Sequence, residues 1–112
     1  AGEASMNEDA QNRAASFLGL CMRAGRLAIG QSACVELIRQ DGAALVLLDA
    51  GASENTRKRI ADGCHSHGAA LYALSAGTLG HAIGRRGCMV CALRPDGMAD
   101  KLLGLLSGEE RL

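Results

Sequence analysis

Leu45-Val46-Leu47-Leu48, running into Asp49-Ala50-Gly51-Ala52-Ser53-Glu54-Asn55, constrains this chain more than any other stretch. Four branched apolar residues without a polar interruption, with Gly42 before them and Gly51 after, predict a central strand buried on both faces. A helix follows at once. Ser53 can offer its side-chain oxygen to the free amides of a first turn, and Glu54 places negative charge at the positive end of the helix dipole.

The remaining elements fall on either side of this unit. Ala14, Phe17, Leu18 and Cys21 recur at helical spacing, which predicts a first helix from Arg13 that stops at Gly25. Arg26 to Ile29 reads as a short strand, and Gln31 or Ser32 opens a second helix with Cys34, Leu37 and Ile38 inward. The third helix runs from about Glu54 to Ser66, with Thr56, Ile60 and Cys64 inward. Ala69 to Leu74 is a third strand, after which Ser75 caps a short helix ending at Gly84. Arg85-Arg86-Gly87 forms a tight basic loop, and Cys88 to Leu93 is a fourth strand. Pro95 sits in the first turn of a last helix whose apolar stripe is Met98, Leu102, Leu105 and Leu106. Strands alternating with helices predict an α/β fold, a three-layer α/β/α sandwich around a small mixed sheet of about four strands. One domain over residues 13–108 is expected, between a flexible segment at 1–12 and a frayed end at 109–112.

At 112 residues, a core can form without staples. Five cysteines, an odd number scattered through apolar segments, fit reduced thiols and a cytoplasmic location better than a disulfide framework. No apolar run approaches the roughly 20 residues of a membrane span, so no membrane partner is expected. Twelve basic and twelve acidic side chains cancel overall, but residues 10–108 hold 11 basic against 7 acidic, a surplus of +4. The body of the protein is therefore mildly basic, compatible with a polyanionic partner.

Sequence support for catalysis is missing. Cys88-Met89-Val90-Cys91 lies in a predicted strand rather than at the strand-to-helix turn where redox pairs acquire a lowered thiol pKa. Cys64-His65-Ser66-His67 puts neighbours on different faces of a helix, which suits surface histidines better than metal ligands. There is no phosphate-loop lysine, dinucleotide fingerprint or metalloprotease pair. The expectation is a protein without catalytic residues, metal or cofactor. Phe17 and Tyr72 belong to core patterns, so a base-stacking platform is not expected either. An RNA ligand would have to be held by backbone amides, small polar side chains and arginines. Gly30-Gln31-Ser32, at a helix start, and Gly84-Arg85-Arg86-Gly87, a glycine-flanked basic turn, offer these groups.

Taken together, Phe17-Leu18-Gly19-Leu20-Cys21-Met22-Arg23-Ala24-Gly25-Arg26-Leu27, Gly30, Leu45 through Thr56, and Leu79-Gly80-His81-Ala82-Ile83-Gly84 resemble the YlxQ-type bacterial branch of the kink-turn-binding ribosomal-protein superfamily. The likeness covers roughly residues 13–106. It implies a non-catalytic RNA-binding protein whose partner is a structured, kink-turn-like RNA, with ribosomal RNA among the candidates. By position, it also implies that Gly30, Gln31, Ser32 and Ala33 form one RNA-facing surface and Arg85, Arg86 and Gly87 a second; beside these, the charges of Arg85, Arg86, Arg26 and Lys58 offer shape and phosphate recognition. The chain departs from the archaeal and eukaryal pattern, which has Asn and Glu at Ser32 and Ala33, Lys at Glu36, acidic residues near Ala50 and Gly51, and an apolar tip at Arg85. The rival reading is a protein-interaction module on the same fold, with a homodimer or partner covering the Gly30 surface.

Overall fold

β2, Leu45–Asp49, is buried along its whole length and lies between two partners in a four-stranded sheet of order β1-β4-β2-β3. A computed structural model describes residues 7–112. In chain order the elements are α1 Glu8–Arg23, β1 Leu27–Ile29, α2 Gln31–Arg39, β2, α3 Glu54–His67, β3 Ala70–Leu74, α4 Thr78–Ile83, β4 Val90–Leu93 and α5 Gly97–Leu105. β2 pairs parallel with β3, placing Leu47 opposite Tyr72, and antiparallel with β4, placing Leu47 opposite Cys91. β4 then pairs antiparallel with β1. The sheet is mixed, as expected.

Strand alternation divides the core in two. Leu45 and Leu47 pack with Ala14, Leu18, Leu79 and Leu102 from α1, α4 and α5. Val46 and Leu48 pack with Cys34, Ile38, Ile60 and Cys64 from α2 and α3. A central strand that is apolar at every position thus has a helical layer on each face, which makes the three-layer α/β/α sandwich.

The topology gathers four chain segments at one end of the sheet. Because β4 runs antiparallel to both β1 and β2, its start lies beside their ends: Ile29 is opposite Cys91, Leu48 is opposite Val90, and the Gly30 N–H donates to Val90 O at 3.0 Å. β3 ends there too, with Leu74 beside Asp49. The turns after β1, β2 and β3 and the loop before β4 therefore share one rim.

Several local expectations need correction. The first helix starts at Glu8 rather than Arg13: the Asn7 side chain accepts from the Asp9 and Ala10 N–H groups, and Glu8 and Asp9 lie in the favourable first turn. Residues 8–12 are accordingly helical, and the rest of the expected flexible segment, 1–6, lies outside the described residues. Ser75 does not cap α4. Its N–H and hydroxyl both donate to Gln11 Oε1, at 2.6 and 2.7 Å, and Gly77 occupies the cap position with φ of 85°. Pro95 precedes α5, whose cap is Asp96, accepting from the Ala99 N–H at 2.8 Å. Cys88 lies before β4 rather than in it. The end of the chain is tied down instead of frayed: Leu112 N–H donates to Leu71 O at 2.9 Å on the outer edge of β3, and Arg111 Nε donates to the Tyr72 hydroxyl at 3.3 Å.

Candidate nucleic-acid interface

Gly30 ends β1 and starts α2 with φ 91° and ψ 161°, a backbone conformation that a side chain would strain. Its carbonyl accepts the Cys34 N–H at 3.1 Å, the first bond of the helix. No side chain caps α2. The Gln31, Ser32 and Ala33 N–H groups of its first turn are thus left for solvent or a ligand, at the positive end of the helix dipole.

On the opposite lip, Gly84 at φ 70° and Gly87 at φ 84° bracket Arg85 and Arg86. The loop closes on itself through Cys88 N–H to Arg85 O at 3.0 Å, and it is anchored to α4 by Arg85 N–H to Gly80 O at 2.9 Å. Gly80 is required for this anchoring, since a Cβ there would stand 2.7 Å from Arg85 O and 3.3 Å from Gly87 N. Both arginines are exposed.

The two lips face one cleft of about 620 Å³. Gly30, Gln31 and Thr56 line one side, Gly84 to Gly87 the other, and Ile29, Cys88, Met89 and Val90 the floor. Gln31 is held from α3: the Thr56 hydroxyl donates to Gln31 Oε1 at 3.0 Å and itself accepts from the Ser53 hydroxyl at 3.1 Å. Among the described residues no protein group pairs with the Gln31 side-chain NH2, so its donors remain for the cleft.

Other residues singled out in the sequence lie elsewhere. Ser32 is exposed beside the cleft, in a shallow groove between α2 and α3 that Arg39 and Arg59 also line. Ala33 faces a different depression, shared with Arg26. Arg26 sits at the far end of β1 and pairs with Asp96 at 3.7 Å. Lys58, with its side chain 77% exposed, pairs with Asp62 at 3.1 Å and does not reach the cleft. Thr56, Met89 and Arg59 are in place around the site but were not candidates from sequence. Thr56 could have been found, because it stands three residues after the helix-capping Ser53 and carries a second hydrogen-bonding group.

Three buried thiols behind the cleft, Cys34, Cys64 and Cys91, are not poised as nucleophiles. Burial pushes Cys34 up to about 12, helped by the neighbouring Cys88 and Cys64 thiols, and burial pushes Cys64 up to about 11. Burial also raises Cys91, with neighbouring thiols adding to the effect. A thiol held protonated in this way attacks poorly.

Comparison with known proteins places the chain in a family and matches its fold. Residues 13–103 match the profile of the ribosomal protein L7Ae/L30e/S12e/Gadd45 family. The RNA-binding protein YlxQ of Bacillus subtilis (strain 168) is 37% identical over 91 residues, covering 80% of this chain and 91% of that protein. The YlxQ protein of Enterococcus faecium is 40% identical over 57 residues, 51% of this chain and 55% of its own. Among solved structures, a Bacillus halodurans protein of unknown function superposes with a TM-score of 0.77 at 29% identity, covering 84% of this chain and 96% of that one. The Giardia lamblia 15.5kD RNA binding protein superposes with a TM-score of 0.73 over 93% of this chain and 92% of its own; at 14% identity it is a likeness of fold.

Proposed function

Because the chain belongs to the ribosomal protein L7Ae/L30e/S12e/Gadd45 family, we propose that it is a non-catalytic cytoplasmic RNA-binding protein that takes a kink-turn or similarly deformed RNA loop into the cleft between Gly30-Gln31 and Arg85-Arg86. The observation that carries this reading is that Gln31 and Arg86, 55 residues apart in sequence, line the same cleft. The names of its relatives in Bacillus subtilis and Enterococcus faecium point the same way.

Each lip supplies a different interaction. The uncapped first turn of α2 offers N–H donors to a phosphate or a base edge, and the absent side chain of Gly30 permits close approach. Arg85 and Arg86 supply charge and planar donors to phosphate oxygens. A sharply bent strand presents its backbone to both lips at once, whereas a straight duplex would meet only one. Ile29, Met89 and Val90 give the floor an apolar surface for an unstacked base.

Ser32, Ala33 and Glu36 stand where the archaeal and eukaryal pattern has Asn, Glu and Lys, so base-edge readout is reduced and recognition rests on shape and phosphate contacts. Arg26 and Lys58 lie outside the cleft and drop out of the proposal. The test is a titration of a kink-turn RNA and a straight duplex of equal length at two salt concentrations. Preferential binding of the kinked RNA, weakening steeply with salt, is expected. Equal weak binding to both would reject kink recognition, and binding to neither would reject the function. A stable homodimer in sedimentation that covers Gly30 would favour the protein-interaction reading.

A further inference from the structure

Asp49, the last residue of β2, is the one fully buried charged side chain among the described residues, and it reaches no cation. Its carboxylate is surrounded by backbone donors instead. Oδ1 accepts the Gly51 N–H at 2.8 Å and the Gly77 N–H at 3.1 Å. Oδ2 accepts Gly77 at 2.9 Å and Leu79 at 3.4 Å. These amides belong to the turn after β2 and to the start of α4, segments that otherwise meet only at the rim. A buried carboxylate persists only where donors satisfy it, and here every donor comes from an element leading to one lip of the cleft.

Resting on the RNA-binding reading above, we propose that Asp49 is the positioning residue of the cleft, a single carboxylate that holds both lips at the separation a bent RNA strand requires. One path runs through Gly51 into the turn that delivers Ser53 and Thr56, and Thr56 holds Gln31. The other runs through Gly77 and Leu79 into α4, whose Gly80 carbonyl accepts the Arg85 N–H at 2.9 Å and leaves no room for a Cβ beneath the Arg85–Gly87 backbone. A third tie comes from the Asp49 main chain, whose N–H donates to O of Met89 on the cleft floor at 2.8 Å. The donors at Gly77 and Leu79 demand an acceptor. Asp49→Asn keeps the size but only one acceptor oxygen, so its NH2 group must face either the Gly51 N–H or the Gly77 and Leu79 N–H groups, and whichever turn meets it loses its tie and carries its lip away.

The test pairs binding with exchange. In the unaltered protein the Gly51 and Gly77 amides, which lie in exposed turns, should exchange with solvent at least a hundredfold more slowly than the Ala76 amide, which donates to no protein group among the described residues, relative to their intrinsic rates; exchange as fast as that of Ala76 would overturn the proposal without reference to RNA. Asp49→Asn, made in a Gly104→Ala background chosen to offset lost stability, is then titrated with kink-turn and straight RNA at a temperature where circular dichroism shows it folded. At least a tenfold loss of affinity for kinked RNA and of its preference over straight RNA is expected, with the salt dependence retained because both arginines remain. Affinity and preference within twofold of the parent would overturn the positioning role. If the parent itself binds no RNA, the functional reading fails, while amide exchange still decides whether Asp49 holds the two turns.

Discussion

The Thr56 hydroxyl donates a 3.0 Å hydrogen bond to the side-chain carbonyl of Gln31, joining the first turns of two helices that start 23 residues apart in the chain. The Thr56 N–H is separately occupied by Ser53 Oγ, at 3.2 Å. Thr56→Val therefore removes the hydroxyl without removing the helix cap. A neutral hydrogen bond contributes about 1 kcal/mol net, so a small fall in the denaturation midpoint is expected. Freed from its partner, Gln31 samples other rotamers, and affinity for kinked RNA should fall roughly fivefold, the equivalent of about 1 kcal/mol. Thr56→Ser, which keeps the hydroxyl, should bind like the parent in the same titration.

Two glycine-to-alanine substitutions should act with opposite signs. At Gly80 the new Cβ would meet the Arg85 carbonyl oxygen at 2.7 Å, and backbone cannot yield as a side-chain tip can. A cost of about 1 to 3 kcal/mol is expected, together with displacement of the Arg85–Gly87 loop and weaker RNA binding. At Gly104, inside α5, nothing lies within 4 Å of the new Cβ. Relief of the glycine penalty in a helix should stabilise by up to about 1 kcal/mol without touching the cleft. Urea denaturation of both variants checks the signs. A Gly80→Ala protein as stable as the parent would refute the tight packing.

How much of the fold and the cleft is legible in the sequence depends on range. β2 can be read because an uninterrupted apolar run allows few other fates, and Gly30 and the Arg85-Arg86 turn because glycine and charge mark themselves. The start of α1 is hidden because Glu8 and Asp9 look alike in a loose tail and in a helical first turn; the long-range bond from Ser75 to Gln11 is invisible in the local pattern. The joining of the two lips follows from the antiparallel pairing of β4 with both β1 and β2, which no local periodicity encodes. Asp49 reads as the polar end of a strand, and only the tertiary fold brings Gly77 and Leu79 to it.

Salt dependence separates the arginines. Arg85 and Arg86 line the cleft, whereas Arg26 faces another depression beside Asp96 and Lys58 is engaged with Asp62. Removing a side chain that neutralises one phosphate should lower the slope of log affinity against log salt by about 0.7 to 0.9. Arg85→Ala and Arg86→Ala should each produce a drop of that order, and Arg26→Ala and Lys58→Ala should leave the slope unchanged within error. Equal effects from all four would mean that RNA responds to overall charge rather than to the cleft.

Cysteine chemistry gives a footprint of the same cleft and a stability signature of the core. Cys88 is half-buried on the cleft floor, and the other four thiols are buried. A maleimide should therefore label Cys88 first, and saturating kinked RNA should slow that labelling; labelling unaffected by bound RNA would place the ligand elsewhere. Burial holds Cys34 at about 12 and Cys64 at about 11, above the ordinary value of 9.0 that each regains on unfolding. The sign follows directly. The unfolded chain releases these protons first, so the stabilisation is complete below about pH 9 and declines as pH rises towards 11 and 12. Urea midpoints of the unaltered protein should thus fall more steeply between pH 8 and pH 10.5 than those of Cys34→Ala, whose lower starting stability at pH 8 reflects the lost packing of Cys34. Parallel pH profiles for the two proteins would show that Cys34 ionises as readily folded as unfolded, contrary to its enclosure beneath α2.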